Sequence, residues 1–580
     1  MTERLSINLR SGLRLGLAAA AGLALAAAAL PAAALTAGAT YTVVLSKVNG
    51  DGTVTDVSST SATADANGRI TFALSNVPTT AQANFVVLTV KDASGNVVRK
   101  GISPAPPSGS SSLVGVNSLA TAQAKAVLKA LALAGSDDPV LAAFAMVLVR
   151  APGLASQNVD DTSTDLYKLA SGLKDAITGT GGFVSYMQAN GATASQLATF
   201  RSRIVHNAAS GTRDLGDYVA KFKDAVDTQA TQGSAAADDL MSEAGAFLAD
   251  ILIDAADAAG IDLALVQGAF NAAGDVVDTT SIVNISQGVM KGMEAAIMGF
   301  FQRLAAMRLS REYTDAITLL GGSSQHAATY ANAVASMAAA FTNVDKTYGD
   351  YWMDPDTYAA TYLANNGGSL TDLDGDGDVD VDDAHMAIQQ AIGQAFDNAW
   401  QAFQQAIRAT NADVTAMRQD IAAALGVPES SLPPEVGRDE DWSNPGTQVN
   451  WAIPKVVAFS FAASHLAAGG TLTYTRGTEP IPSSMTWLDP DGDGNAGPRS
   501  DFVAQGIPPA FAALLGIEED MAILTYRRWD QCRSAADPYQ CDKLALKDFT
   551  QALGALAGRI GGVGFDEAKA LVRLMQEPNL

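Results

Sequence analysis

Acidic side chains at every second position mark one segment of this sequence as a candidate cation site. Between positions 372 and 383 the chain reads Asp-Leu-Asp-Gly-Asp-Gly-Asp-Val-Asp-Val-Asp-Asp. Calcium takes about six to eight oxygen ligands, so several carboxylates must share one tight turn. The sequence therefore predicts a calcium site. Its predicted ligands are the side chains of Asp372, Asp374, Asp376 and Asp380, the backbone carbonyl of Asp378 and a closing carboxylate from Asp383.

The order of these residues resembles the calcium loop of the EF-hand family. Asp372, Asp374 and Asp376 take the first, third and fifth places, and Gly377 takes the sixth, where that loop turns sharply. The twelfth residue is Asp383 in place of the usual glutamate, which resembles the dockerin variant of the loop. The resemblance implies that Asp383 closes the site. An acidic low-complexity turn that binds no metal is the alternative.

A second segment, at 489–500, repeats the pattern less completely. Asp489, Asp491, Asp493 and Asn495 are in place, but no acidic residue stands at the twelfth position. We expect this segment to bind calcium as a loop clamp, with a plain acidic turn as the alternative. Dockerins that bind cohesins carry two loops in close tandem, whereas these two segments lie far apart in the chain. The resemblance is therefore local, and cohesin binding is not expected.

Stretches with helical periodicity lie on both sides of the first acidic segment, and the helices they predict would position it. The segment that begins at Asp354 predicts a short entering helix, and apolar residues at spacings of three and four predict one long exit helix over 383–425. We expect an elongated helical bundle over 114–350, followed over 351–426 by the calcium loop and its exit helix. Residues 427–580 are rich in proline and tryptophan, which predicts an irregular region with some helix.

The segment before the helices has a two-residue periodicity. Short runs rich in β-branched and aromatic residues at 41–45, 70–74 and 85–90 are separated by Asn-Gly and similar turn signals, which predicts strands. The pattern over 40–103 resembles small immunoglobulin-like or prealbumin-like modules of bacterial surface proteins, and this resemblance implies a β-sandwich. The Pro/Gly/Ser-rich residues 104–113 predict a flexible linker.

Residues 1–34 have the form of a secretory leader, with a basic start, an Ala/Leu run and a stretch of small residues at the end. An uncleaved membrane anchor is the alternative. After cleavage no membrane span is expected, and the pattern predicts general secretory export from a bacterium to the cell surface, the medium or the periplasm. In such an oxidising compartment Cys532 and Cys541 are expected to form a small-loop disulfide, with two free thiols as the alternative.

Charge and missing motifs limit the functions that the chain can have. The net charge is -24, from 37 Lys+Arg against 61 Asp+Glu. Because phosphate binding needs a basic surface, nucleic acid and anionic lipid are not expected as main partners. The sequence contains no nucleophile elbow, zinc-protease motif or phosphate-binding loop. Its four histidines are isolated from one another: His206, His326, His385 and His465.

Two function classes therefore remain. The favoured one is an exported calcium-binding structural or adhesion-type protein that contacts an unknown surface or protein partner, with calcium as a structural staple. The alternative is a secreted polysaccharide-degrading hydrolase or lyase on a helical scaffold, with unknown catalytic residues and a cleft lined by Trp442, Trp451 or Trp487. The expected fold is multidomain and mainly α, with a small N-terminal β-sandwich, an elongated helical bundle with an EF-hand-like loop, and an irregular C-terminal region.

Overall fold

The computed structural model describes residues 35–107, 116–222, 234–277, 279–353, 355–408, 411–431, 453–476, 508–532 and 552–576. This part of the chain is mainly helical, with a small four-stranded antiparallel sheet near its start, so the predicted mainly-α class is confirmed. The chain divides into two compact units, one ending at Ala305 and the other running from Ala306 onward. None of the helices in the described ranges combines the length and apolar character needed to cross a bilayer.

The sheet of the first unit is built from four strands in the order β2-β1-β3-β4, with every neighbouring pair antiparallel. Alternate residues face one apolar core, where Val43 and Leu45 of β1 meet Val86 and Leu88 of β3. This follows from the two-residue period of a strand. The strands are β1 (Thr40–Val48), β2 (Val54–Thr63), β3 (Phe85–Lys91) and β4 (Val97–Pro104).

Residues 70–74, which the sequence predicts as a strand, form no strand in the structure. Ile70, Phe72 and Leu74 instead lie partly buried against the sheet core. The apolar alternation is therefore real, but it serves side-chain packing on a sheet face and not a strand ladder. The structure has one sheet in this module, and the two-layered sandwich is not confirmed.

The sheet packs directly against the helices that follow it. The backbone N–H of Lys100 in β4 donates to the hydroxyl of Thr121, 3.0 Å away in the first helix. The side-chain amide of Asn84 donates to the carboxylate of Asp137 at 2.9 Å. Ala105, at the start of the predicted linker, is 2% exposed. The early part of that segment thus belongs to the packed unit, and residues 108–115 lie outside the described ranges.

The helices of the first unit enclose an aromatic core. The Phe144 ring lies 5.4 Å from that of Phe183 and 5.8 Å from that of Phe300, while Phe270 and Phe300 are 4.5 Å apart. Such tilted ring pairs add to the hydrophobic burial of the core. The helices are α1 (Ser118–Ala134), α2 (Pro139–Leu148), α3 (Asp165–Thr178), α4 (Phe183–Ala189), α5 (Ala194–Val205), α6 (Leu215–Phe222), α7 (Ser234–Ala259), α8 (Leu263–Val277) and the first part of α9 (Gln287–Leu319).

The second unit has its own apolar core, in which the rings of Tyr313 and Tyr330 stack at 4.8 Å and those of Phe459 and Phe511 meet edge-on at 4.8 Å. A two-stranded ladder joins β5 (Thr473–Tyr474) to β6 (Ile560–Gly561). The helices after α9 are α10 (Ser324–Met353), α11 (Pro355–Asn366), α12 (Val381–Arg408), α13 (Asn411–Leu425), α14 (Ile453–Ala467), α15 (Pro509–Cys532) and α16 (Phe565–Met575).

The single long helix predicted over 383–425 is described as two helices, α12 and α13. Residues 409–410 between them lie outside the described ranges. Ile421 and Ala422 of α13 are buried in the same core as α14. Both helices carry apolar residues at spacings of three and four, so the periodicity could not show where one ends and the next begins.

Candidate metal site

Three packed helices hold the acidic loop, which joins α11 to α12. Ala359 of α11, Ala384 and Ile388 of α12 and Tyr351 of α10 are all buried in one apolar core. The entering helix predicted from the sequence is confirmed as α11. Because both helices that flank the loop are anchored in this core, the two ends of the loop have fixed positions.

A polar contact ties the same three helices together beside the loop. The hydroxyl of Tyr351 lies 3.3 Å from Nδ1 of His385 and accepts a hydrogen bond from Gln389 at 3.2 Å. The other ring nitrogen of His385 lies 3.3 Å from a carboxylate oxygen of Asp356 in α11. His385 is isolated from the other histidines, as the sequence indicated, but it links α10, α11 and α12.

Side chains within the loop hold its backbone in a tight turn. The carboxylate of Asp372 accepts hydrogen bonds from the N–H groups of Gly375 at 2.6 Å and Gly377 at 2.9 Å. Asp374 and Asp376 each accept one from the residue two positions further on, at 3.1 Å. The two glycines have φ values of 82° and 103°, which residues with a side chain rarely adopt. These aspartates therefore hold the shape of the turn in addition to giving it negative charge.

The loop brings carboxylates together in two overlapping groups. Oxygen atoms of Asp372, Asp374 and Asp376 lie within 4.8 Å of one another, and so do those of Asp376, Asp378 and Asp380. Two ligands on opposite sides of a calcium ion, each about 2.4 Å away, would be about 4.8 Å apart. Each group therefore has the spacing of ligands around one cation. Asp380 is half-buried and the other four side chains are exposed.

Asp383, the predicted closing ligand, has a different environment. Its side chain is buried, and one oxygen accepts from the N–H groups of Leu373 and Asp374. The other oxygen accepts from the N–H of Asp380 at 3.0 Å, while the Asp380 side chain accepts from the N–H of Asp382 at 2.8 Å. These last two bonds cap the start of α12 in the manner of a capping box. Asp383 thus joins both ends of the loop to the helix.

Repulsion between neighbouring carboxylates changes the pKa values of aspartates in the loop. The hydrogen bond from the Asp376 backbone lowers the pKa of Asp374, but desolvation and the neighbouring carboxylates outweigh it, so the pKa lies above the ordinary value. The charge of Asp376 raises the pKa of Asp378. By contrast, hydrogen bonds led by that from Leu373 lower the pKa of Asp383. A bound cation would relieve the repulsion among the exposed carboxylates.

The remaining predicted site residues lie outside the described ranges. They are Asp489, Asp491, Asp493 and Asn495 of the second acidic segment and Cys541 of the expected disulfide. Cys532 is the last residue of α15. The second calcium loop and the disulfide stay predictions. Comparisons with protein-family models, with curated proteins and with solved structures find no match to this chain.

Proposed function

We propose that the protein is an exported, calcium-binding structural or adhesion-type protein in which calcium staples the helices around the loop at 372–383. The observation that carries this proposal is the grouping of five carboxylates around Asp376, with spacings suited to cation ligands. Five negative charges on so short a turn repel one another unless a cation is shared among them.

The position of the loop supports a structural role for the ion. The loop connects α11 and α12, which pack with α10, so a bound ion would fix the angle between the helices on either side of it. Asp383 already anchors both loop ends to α12. Calcium would complete this arrangement by neutralising the exposed carboxylates of the loop.

The expected compartment agrees with a loop of this type. Residues 1–34 carry the pattern of a secretory leader, and extracellular calcium modules bind with dissociation constants of about 10⁻⁴–10⁻³ M. At a free calcium concentration tenfold above such a constant, one site would add roughly 1.4 kcal/mol to the free energy of unfolding. The ion would then act as a staple outside the cell.

Calorimetric titration of calcium into the chain tests the proposal. We expect saturable binding of which the component from this loop is lost in Asp372→Asn/Asp376→Asn, because asparagine keeps an oxygen acceptor for the turn and removes the charge. Asp65→Asn/Asp161→Asn is the matched control, since both of these aspartates accept backbone hydrogen bonds in turns of the first unit. Binding that persists unchanged in the loop variant would contradict the proposal.

The enzyme alternative rests on residues that the structure does not describe. Trp442, Trp451 and Trp487, which were expected to line a cleft, all lie outside the described ranges. No observation among the described residues favours this alternative over the structural role.

A further inference from the structure

The N-terminal sheet and the helix that follows it form a basic region in an acidic chain. Residues 35–136 contain seven Lys or Arg against four Asp and no Glu, whereas the whole chain has 37 basic against 61 acidic residues. A charge asymmetry of this kind within one chain favours a partner of the opposite charge to the exceptional region. A negatively charged partner is therefore indicated for residues 35–136.

The four carboxylates of this region already serve as hydrogen-bond acceptors. Asp65 and Asp92 accept from backbone N–H groups of their own turns. Asp51 accepts from the N–H and the hydroxyl of the residue two positions further on, and Asp56 accepts from the hydroxyl of Ser46 at 2.7 Å. Among the described residues, none of the four forms an ion pair with a lysine or arginine.

Three lysines of the region are left without a balancing charge. In the described part of the chain, the ammonium groups of Lys91 in β3 and Lys100 in β4 make no hydrogen bond and no ion pair. Lys125 of α1 donates to two backbone carbonyls, at 2.6 and 3.1 Å, which leaves one of its three N–H donors available and its charge unbalanced. By contrast, Lys129, one turn further along α1, pairs with Asp160 at 2.8 Å.

The strand register places the two sheet lysines on one face. Thr42 of β1 lies opposite Lys91 on one side and opposite Ser61 of β2 on the other, so these three side chains form a row across the sheet. Lys100 lies opposite Thr89, two residues before Lys91, so Lys100 is the diagonal neighbour of Lys91 at about 7–8 Å. Thr42 and Ser61 are exposed, and the two lysines are half-buried.

The first helix adds the third lysine to this row. The N–H of Lys100 donates to the hydroxyl of Thr121 at 3.0 Å, and Lys125 lies one helical turn after Thr121 on the same side of α1. Burial lowers the pKa of Lys100, and the positive charges of Lys125 and Lys91 lower it further. Lys100 thus lies between two like charges, and a bound anion would relieve their repulsion.

The one acidic residue within the four strands lies away from this row. Asp56 is opposite Ser46 of β1, which follows Thr42 by four residues, or about 13 Å along a strand. The row therefore presents hydroxyl and ammonium groups without a carboxylate. We call it the basic strip; its members are Ser61, Thr42, Lys91, Lys100 and Lys125.

We propose that the basic strip binds an acidic polysaccharide, a polymer with carboxylates and hydroxyls on its sugar units. The carboxylates would pair with the ammonium groups, and the sugar hydroxyls would bond to the Ser and Thr hydroxyls, which both donate and accept. Single-stranded nucleic acid is a poorer fit, because it is held by stacking on aromatic rings and the strip contains none. The strip belongs to the unit that ends at Ala305, so the proposal is independent of the calcium loop.

Calorimetric titration of oligogalacturonate, in which every sugar carries a carboxylate, into the full chain tests the proposal. The titration is made at low ionic strength and in chelator, so that calcium neither bridges the sugar nor influences the outcome. We expect saturable binding, with Kd about tenfold higher in Lys91→Gln/Lys100→Gln. Thr42→Val/Ser61→Ala keeps the charge and removes the hydroxyls, and it should raise Kd about threefold. Uncharged dextran should not bind.

Lys47→Gln/Lys174→Gln is the matched control, because it removes the same number of charges from the first unit outside the strip. Lys47 lies five residues after Thr42 in β1 and therefore on the opposite face, and Lys174 pairs with Asp175 at 2.6 Å in α3. Its Kd should equal that of the wild type.

Carbodiimide cross-linking locates the bound sugar without any substitution, so the test stays decisive if a variant fails to fold. The reagent activates a sugar carboxylate, which then forms an amide with a nearby lysine amine while the carbodiimide leaves as the urea. Peptide mass mapping should find the sugar on Lys91, Lys100 or Lys125.

Four results would overturn the proposal. They are no binding of oligogalacturonate by the wild type, an equal loss of affinity in the control and strip variants, cross-links confined to lysines outside the strip, and tighter binding of a polyphosphate of equal charge. The last result would assign the strip to phosphate polymers instead of acidic sugars.

Discussion

The acidic loop at 372–383 and the turns of the N-terminal sheet use the same local chemistry with opposite electrostatic results. In the sheet turns, Asp65 accepts from the N–H groups of Asn67 and Arg69, and Asp92 accepts in the same way from residues 94 and 96. These hydrogen bonds lower the pKa of both carboxyl groups. In the loop, Asp374 and Asp376 make similar turns, but the pKa of Asp374 is raised.

The difference lies in the number of charges and not in the turn. The pKa of each carboxylate in the sheet turns is lowered by its own backbone hydrogen bonds, whereas the loop places an aspartate at every second position. Repulsion from Asp376 then raises the pKa of Asp378. An aspartate in a turn is therefore no sign of a cation site by itself, and the crowding of several such turns is what favours calcium.

Removing the anchor of the loop should have the largest effect. Asp383→Ala leaves the N–H groups of Leu373, Asp374 and Asp380 without their acceptor. We expect Tm to fall by about 5–10 °C even in chelator, because this carboxylate supports the loop without metal. Differential scanning calorimetry checks this. Asp382→Ala is the control, since that side chain is exposed, and equal effects of the two substitutions would contradict the assigned role.

The shared turn geometry predicts similar penalties for glycine substitutions in both regions. Gly377 in the loop and Gly95 in the turn between β3 and β4 have φ values of 103° and 84°, and neither has atoms near the position of an added Cβ. Gly377→Ala and Gly95→Ala should each lower the free energy of unfolding by about 1–2 kcal/mol, through backbone strain alone. Urea unfolding in chelator measures this.

Gly368→Ala is the matched control for both, because that residue has open space around it and no positive φ in the glycine-favoured region. A penalty at Gly368 as large as that at Gly377 would show that strain in the left-handed region is not the cause.

The smallest expected effect is a difference between the loop and the sheet turns in the sign of the pH dependence of stability. Without metal, the pKa values of Asp374 and Asp378 are raised in the folded state. These two groups therefore stabilise the fold below pH 3.8, and that stabilisation is lost as pH rises through their folded-state pKa values. The pKa values of Asp65 and Asp92 are lowered in the folded state. These two groups therefore stabilise the fold above pH 3.8, and that stabilisation is lost as pH falls through their folded-state pKa values.

Carboxyl ¹³C NMR of aspartate-labelled protein separates the two groups. In chelator, Asp374 and Asp378 should titrate above pH 3.8, and Asp65 and Asp92 below it. Calcium should lower the pKa values of the loop pair and leave the sheet pair unchanged, because a cation stabilises the charged form. A loop pair that titrates with the sheet pair in chelator would remove the contrast between the regions.

The sequence was most informative where a pattern has one physical cause. The repeated aspartates predicted a loop between two helices, and α11 and α12 flank it as expected. The capping bonds made by Asp380 and Asp383 were missed, although acidic residues spaced by three at the start of a helix are the signal of a cap. A ligand-spacing argument alone does not separate residues that bind an ion from those that bind the backbone.

Patterns with two possible causes were less informative. Apolar alternation at 70–74 predicted a strand, but the same alternation lets Ile70, Phe72 and Leu74 pack on a sheet face without a ladder. The serine- and threonine-rich β2 lacked an apolar pattern, so the sequence did not reveal it. The burial of Arg150, which is 2% exposed, was also hidden, because burial of a charged side chain depends on contacts with distant segments such as α6 and α9.

Thermal unfolding of the chain in excess calcium and in chelator tests the central claim most directly. The account predicts that calcium raises the Tm of the wild type by about 3–5 °C. It also predicts that Asp372→Asn/Asp376→Asn reduces this shift and that Asp65→Asn/Asp161→Asn keeps it. An equal Tm for the wild type in calcium and in chelator, or a shift of unchanged size in the loop variant, would contradict a structural calcium at 372–383.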